Sequence, residues 1–357
     1  MNKAQTCTEH IDPALKAAGW GVVEGSRIWR DYLIAPGRID ITGRAGRGLM
    51  ADYVLEYRNT RLAASVAMAW SQDLAEGVAQ AKHYAAKLGL RYAYSTNGRG
   101  IHGIDLETGH EAPLSAYPTP QDLWALTFEP NVWCERFAEI DYVDTSDAQP
   151  ARYYQDIAVE RVLHAIATDQ QRILLTLAGD AGEVLIAFHI AWKLYQARWN
   201  LSREPTRRPR ILVLADSDVL ADEAHNAFSG LGAAALVRID AADLQSAGES
   251  PKSGSVFFAT FQTFKSDSAK RRARSFRFGE YPPDFFDFII VNQCHRDGAE
   301  DASNWSGIVE YFAPAVQLGF IATSPGDATM DAYDYFGKPV YAYSPEEAID
   351  DGFLHAP

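Results

Sequence analysis

Residues Ile173-Leu174-Leu175-Thr176-Leu177 form an apolar run that reads as a strand buried on both faces. The loop Ala178-Gly179-Asp180-Ala181-Gly182-Glu183-Val184 follows, and then an amphipathic helix from Leu185 to Gln196. Strand, glycine-bearing loop and helix make the frame of a phosphate-binding loop. In that frame the position of the phosphate-gripping Lys is Glu183, and that of the Mg²⁺-binding Ser or Thr is Val184. The frame of a nucleotide site is present and its charges are not.

From Tyr153 onward the pattern alternates strand and helix. Strands are predicted at Ile173–Leu177, Ile211–Ala215, Val256–Thr260, Phe288–Val291 and Val316–Ala322. Helices are predicted at Val184–Gln196, Val219–Phe228 and Asn304–Phe312. Apolar strands separated by helices imply a parallel sheet covered on both faces. The first half reads differently. A short helix over residues 9–19 ends at Gly19, and strand-like runs follow at Ala51–Tyr57, Leu62–Ala69, Tyr92–Thr96 and Ile101–Asp105. A helix from Asp73 to Leu88 lies between the second and third runs, with Val78, Ala81, Ala85 and Leu88 at helical spacing. That order suits a small mixed α/β domain. Residues Pro118–Pro150, rich in Pro, Trp and acidic side chains, read as a packed connector.

A chain of 357 residues, 47% hydrophobic and 22% charged, has material for two or three globular cores. No apolar run approaches the ~20 residues that span a bilayer. Met1–Thr6 lacks the apolar centre of a signal peptide, and Cys7, Cys134 and Cys294 are too scattered for a disulfide framework or a zinc site. The expectation is a cytoplasmic protein with no membrane partner. A net charge of −14 argues against a protein that coats nucleic acid with its whole surface, but not against a local basic channel. Two basic clusters are candidates for DNA contact: Arg207, Arg208 and Arg210, and Lys270, Arg271, Arg272 and Arg274 with Arg277. Either cluster equally reads as a solvated surface loop.

Further stretches join the loop in a fixed order. Tyr153-Tyr154-Gln155 stands upstream, Leu214-Ala215-Asp216 and Ala259-Thr260-Phe261-Gln262-Thr263 end strands, Asn292-Gln293-Cys294-His295-Arg296 tips another, and Ile321-Ala322-Thr323 closes the series. With these, the chain resembles the motor and endonuclease (R) subunit of type I restriction enzymes, whose motor is a superfamily 2 helicase. The family reads ATGTGKT where Ala178–Val184 reads AGDAGEV, DECHR where Asn292–Arg296 reads NQCHR, and TAT where Ile321–Thr323 reads IAT. The resemblance assigns Gln155 to adenine reading, with a helix-terminal surface residue as its other reading. It assigns Asp180, Gly182, Glu183, Val184, Asn292, Gln293 and Thr323 to a degenerate nucleotide site. A charge pair at ~4 Å and an effective dielectric of about 20 interacts with roughly 4 kcal/mol, so Glu183 in place of Lys opposes triphosphate strongly. Val184 has the shape of Thr without its oxygen, Asp180 adds a negative charge to the loop, and Asn292 and Gln293 keep the outlines of Asp and Glu without their charge.

The same resemblance implies an N-terminal nuclease domain of the PD-(D/E)xK type. That chemistry needs an Asp, then an acid and a Lys two residues apart on one face of the next strand. Asp52 supplies the first, but Val66 stands at the acid and Met68 at the Lys. One carboxylate is a poor Mg²⁺ site. The family's Gln-x-x-x-Tyr pair is Gln80 and Tyr84, on one helix face, either supporting the site and DNA or packing on the sheet. Thr96-Asn97-Gly98 reads as a structural turn.

The expected architecture is therefore α/β: a restriction-endonuclease-like mixed domain over 1–117, a connector over 118–150 and a first RecA-like parallel-sheet lobe over 151–357, with the family's second lobe and tail absent. Four swaps, Lys to Met, Thr to Val, Asp to Asn and Glu to Gln, conserve volume and remove chemistry, while the core strands keep their pattern. The expected function is that of a catalytically silent relative or fragment. It would hold duplex DNA or restriction-modification subunits without ATP hydrolysis or cleavage, and with no cofactor where the family uses Mg²⁺ and ATP. The alternative is an active ATP-dependent DNA translocase and endonuclease subunit.

Overall fold

The computed structural model describes residues 1–38, 46, 48–142, 152–179, 181–244, 250–265, 276–292, 305–322 and 330–354. The chain divides into two compact units. One runs from Met1 to Asp141 and includes the segment from Glu346 onward; the other spans Tyr142–Pro345.

The first unit carries one six-stranded sheet in chain order: β1 (Ser26–Ala35), β2 (Leu49–Tyr57), β3 (Thr60–Ala67), β4 (Tyr92–Thr96), β5 (Ile101–Asp105) and β6 (Glu111–Leu114). All neighbours are antiparallel except β3 and β4. That parallel pair needs a crossover, which helix α3 (Ala75–Lys87) supplies. The helix comes close to the sheet at Gly77, where a Cβ would lie 2.4 Å from Ser95 Oγ and 3.1 Å from Met68 Sδ. The N-terminal helical run is longer than its sequence pattern predicts. It comprises α1 (Lys3–Thr6), a π-turn (Cys7–Ile11) and α2 (Asp12–Ala17). Its buried side chains Cys7, Ile11 and Leu15 pack with Trp20, Tyr53 and Leu55.

Strand β1 has no clean alternation, because Arg30 and Asp31 interrupt it, and Asp31 takes φ of 49° and drops out of the ladder with β2. The stretch after Tyr117 folds as α4 (Pro120–Thr127) and α5 (Val132–Ala138) within this unit. Thr119 caps α4 through Asp122 N–H, Leu123 is fully buried, and Trp20 Nε1 donates to Pro118 O at 2.9 Å.

The second unit is a seven-stranded, wholly parallel sheet in the order β13-β7-β12-β11-β8-β10-β9. The strands are β7 (Arg172–Leu177), β8 (Ile211–Ala215), β9 (Leu236–Arg238), β10 (Val256–Thr260), β11 (Phe288–Val291), β12 (Val316–Ala322) and β13 (Tyr341–Tyr343). The five longer strands fall where the apolar runs predict them. β9 and β13 have three residues each, too few to show a period. Helix α6 (Tyr153–Ala167) precedes β7, and α7 (Glu183–Ala197) and α8 (Asp218–Ala227) follow β7 and β8. Most residues of α6 are buried, so it lacks the apolar stripe that marks a surface helix. Helices α9 (Ser306–Tyr311) and α10 (Met330–Phe336) flank β12, and α11 (Pro345–Asp350) begins the final segment. Phe257, Phe264, Phe286 and Phe312 are fully buried in one core cluster, each burial worth about 1.5–3 kcal/mol. No helix among the described residues is long and apolar enough to cross a membrane.

Candidate functional sites

In the first unit, Asp52 lies on β2 and Val66 on the neighbouring β3. Asp52 Oδ2 accepts the Ala67 N–H at 2.8 Å, and Oδ1 pairs with Lys3 Nζ at 2.6 Å. Val66 is fully buried. Met68 leaves the strand with its N–H on Thr96 O at 2.7 Å and its thioether beside Gly77. Met68 thus packs between sheet and α3, a place where a charged Lys would need a partner. These residues do not fit a divalent metal: Val66 and Met68 carry no oxygen donor, and both oxygens of Asp52 are engaged. No group of three or more metal-ligating side chains occurs among the described residues.

Gln80 Nε2 donates to the Tyr84 hydroxyl one turn on, and Tyr84 is buried, so the pair satisfies itself on the helix. The Thr96–Gly98 turn is built by Asn97. Its Oδ1 accepts Arg99 N–H at 3.1 Å and Gly100 N–H at 3.2 Å, and its Nδ2 donates to Gln72 O at 2.8 Å. Gly98, at φ of 79°, faces His10 and Thr6 so closely that a Cβ would sit 2.9 Å from His10 Cβ.

In the second unit, the loop between β7 and α7 turns into its helix through Gly182, which takes the left-handed φ of 83°. A side chain there would meet Gln155 Nε2 at 2.4 Å. Gln155 is buried at the start of α6, and both ends of its amide are committed. Oε1 accepts the Arg152 N–H at 2.9 Å, and Nε2 donates to Ala181 O at 2.8 Å. The Tyr154 hydroxyl donates to the same carbonyl at 3.2 Å. An amide in this position braces the loop.

Glu183 and Val184 open α7. A carboxylate in the first turn sits at the positive end of the helix dipole, the place a phosphate takes in a phosphate-binding loop. Asn292 follows β11 with its N–H on Leu214 O at 2.9 Å, and its buried Oδ1 has no hydrogen-bond partner among the described residues. Asp180, Gln293 and Thr323 lie outside the described residues.

The first arginine cluster is occupied within its own unit. Arg207 clamps the fully buried Asp287 through two bonds of 2.6 and 2.7 Å, and Asp287 also accepts the N–H groups of Leu201 at 3.0 Å and Arg210 at 2.8 Å. That contact holds the Arg207 guanidinium above its ordinary pKa. Arg208 lies 3.6 Å over the Tyr195 ring and donates to Tyr195 O at 3.0 Å, and Arg210 lies 4.4 Å over the Phe285 ring. Lys270, Arg271, Arg272 and Arg274 lie outside the described residues.

Two partners in these arrangements, Lys3 and Asp287, escape a reading of motifs. A lone Lys in an N-terminal helix carries no signal. Asp287 does carry one: a charged residue directly before the apolar strand Phe288–Val291 must find a partner when the strand is buried.

Comparison with known proteins agrees with this geometry. Residues 149–326 match the family described as "Type III restriction enzyme, res subunit". The endonuclease subunit of the type I restriction enzyme EcoAI from Escherichia coli is 29% identical over 99% of this chain, which covers 43% of that subunit. The EcoKI endonuclease subunit of Escherichia coli strain K12 is 28% identical over 74% of this chain and is covered over 23% of its length. The chain thus spans less than half the length of these relatives. A fragment from Vibrio vulnificus YJ016, assigned as an HsdR subunit of a type I restriction enzyme, superposes with a TM-score of 0.77 at 35% identity, over 99% of this chain and 61% of the fragment. Sequence similarity, the parallel RecA-like sheet and this structural match agree that the chain is HsdR-like, similar over nearly its whole length to type I restriction enzyme R subunits.

Proposed function

We propose that the chain is a chemically silent relative of the type I restriction R subunit. It would hold the DNA backbone or dock on restriction-modification subunits without hydrolysing ATP or cutting. In this reading residues 1–117 are the nuclease-like part, 118–150 the connector and 151–357 the helicase-like lobe. The observation that carries it is the first turn of α7. Gly182 sets the phosphate-loop geometry, and Glu183 and Val184 then occupy the two positions that would grip triphosphate and Mg²⁺. The neighbouring amide of Gln155 is spent on the loop backbone, and Asn292 offers a neutral amide where a metal-orienting carboxylate would stand. The cleft of the first unit supports the same reading with Val66 and Met68.

Calorimetry with Mg-ATP tests it: no saturable heat is expected, and DNA-stimulated ATPase should be at background. A variant with Glu183→Lys, Val184→Thr, Asn292→Asp and Gln293→Glu should gain nucleotide affinity. Turnover by the unaltered chain would end this reading. It would carry the second one, an ATP-dependent translocase and endonuclease, which similarity to the EcoAI endonuclease subunit favours. DNA holding is tested separately by salt titration, in which log K should fall steeply with log salt. With Arg207, Arg208 and Arg210 engaged internally, that slope should rest mainly on Lys270, Arg271, Arg272 and Arg274.

A further inference from the structure

The stripped cleft of the first unit contains a cation that none of its strands supplies. Lys3 is the first residue of α1, and its ammonium reaches Asp52 Oδ1 at 2.6 Å while the other carboxylate oxygen is held by the Ala67 N–H. The start of this helix is fixed. Asn2 caps it, accepting the Gln5 N–H at 2.9 Å, and Gln5 Oε1 accepts the Asn2 N–H at 3.2 Å.

The same helical run is also anchored at two strand ends. Thr6 and His10 abut Gly98 in the turn after β4, and the His10 ring packs at 4.3 Å against Trp70 just beyond β3. A little further along, Asp12 accepts from the Tyr53 hydroxyl at 2.8 Å and from Arg30 at 3.0 Å. Residues 3, 6 and 10 follow the spacing of one helix face. That face therefore lies over Asp52 within β2 and the ends of β3 and β4, beside the motif positions Asp52, Val66 and Met68.

We propose that Lys3 is the tethered counter-ion of this cleft, its ammonium standing at Asp52 where a divalent cation would stand in a cutting relative. The inference rests on the silent reading and adds to it the residue that closes the site. The chemistry is consistent. One carboxylate cannot meet the coordination demand of a divalent ion, but it matches a single ammonium, and an ammonium cannot take water as a ligand and lower its pKa as a metal ion does. The helix holds the Lys backbone in place, so pairing restricts only the side chain.

The test uses the full chain and Mn²⁺, with free Mn²⁺ followed by electron paramagnetic resonance. Val66→Asp restores a second carboxylate beside Asp52. Lys3 should still exclude the metal, so Val66→Asp with Lys3→Met should bind Mn²⁺ at least about tenfold more tightly than Val66→Asp alone, or about 1.4 kcal/mol. Equal affinities would overturn the role of Lys3 and leave the silent reading standing. Mn²⁺ binding together with DNA cleavage by the unaltered chain would take down that reading and this inference with it. Because an acid at buried Val66 threatens folding, thermal melting gives an independent arm. Lys3→Met should lower the midpoint by about 2–4 °C in the natural background and leave it unmoved in Asp52→Asn. Equal drops in both backgrounds would refute the pairing.

Discussion

In the first unit the fold meets the carboxylate of Asp52, the proposed remnant of a nuclease motif, with a full charge, the ammonium of Lys3. In the second unit the loop after β7 is met by neutral groups, the Gln155 amide and the Tyr154 hydroxyl, both on Ala181 O. The difference follows from what each cleft retained. A partly buried Asp52 needs a counter-charge, and one within hydrogen-bond reach is enough. A backbone carbonyl needs only donors. Glu183 is accommodated in a third way, at the start of a fifteen-residue helix whose dipole favours an anion there. On the proposed silent reading, each unit absorbs the loss of catalytic charge locally.

The largest test of that contrast asks whether the second unit also depends on a full charge somewhere, and Asp287 says that it does. It is fully buried and accepts four bonds, two of them from Arg207. Asp287→Ala leaves Arg207 and two backbone N–H groups without their acceptor, and urea unfolding should show a loss of about 3–5 kcal/mol. A loss below about 1 kcal/mol would mean that Arg207 is not a scaffold residue and would return the cluster to the DNA-contact reading.

The next effect is pH dependence confined to the second unit. His189 is buried on α7 against the Tyr142 ring, beside Phe188 and near Lys193, and burial followed by the Lys193 charge lowers its pKa to about 4. An unfolded imidazole takes a proton near 6.5, whereas the folded one resists until about 4. Protons therefore favour the unfolded chain across that window. Stability should fall by up to about 3 kcal/mol as pH drops from 6.5 to 4, then level off. His189→Gln should flatten that limb in denaturant melts, and an unchanged slope would place the proton elsewhere.

A smaller effect isolates the neutral brace. Gln155→Ala removes one donor to Ala181 O and the acceptor of Arg152 N–H, and should lower stability by about 1–3 kcal/mol. Mg-ATP affinity should stay at background, because Glu183 remains. New nucleotide binding in this variant would show that the amide, and not the reversed charge, was the obstacle.

These effects also mark what a reader of the sequence can see. Ile211–Ala215, Val256–Thr260 and Phe288–Val291 are buried on both faces, so their composition alone announces a parallel sheet. The strand-loop-helix frame of β7, Gly182 and α7 was legible for the same reason, since each part leaves its own pattern in the sequence. The partners were not. Lys3 and Asp52 are 49 positions apart, and Arg207 and Asp287 are 80 apart, so only the fold brings either pair together. Nor does anything local show that Tyr195 lies beneath Arg208. Strand β1 hid behind Asp31, whose left-handed backbone interrupts the alternation without ending the strand.

The smallest effect places the acid limit of the first unit below that of the second. Asp105 ends β5, where the Arg91 guanidinium grips both its oxygens at 3.0 and 2.8 Å, and the N–H groups of Glu107 and Thr108 point at the same carboxylate. Arg91 also reaches Leu126 O at 3.0 Å, tying the end of α4 to this corner. Its guanidinium, more than the backbone donors, draws the Asp105 pKa from 3.8 down to about 2. A carboxyl depressed in the folded state contributes stability above its unfolded pKa and loses it as pH falls toward the folded one. The window is thus 3.8 to about 2, below that of His189. Solvent reaches this pair, so the contribution should be no more than about 1 kcal/mol. In urea melts, the advantage of the natural chain over Asp105→Asn should be constant above pH 4 and vanish toward pH 2. A difference that persists unchanged through that window would mean that Arg91 holds the corner by packing on Tyr92 and by its carbonyl contact, with no contribution from charge.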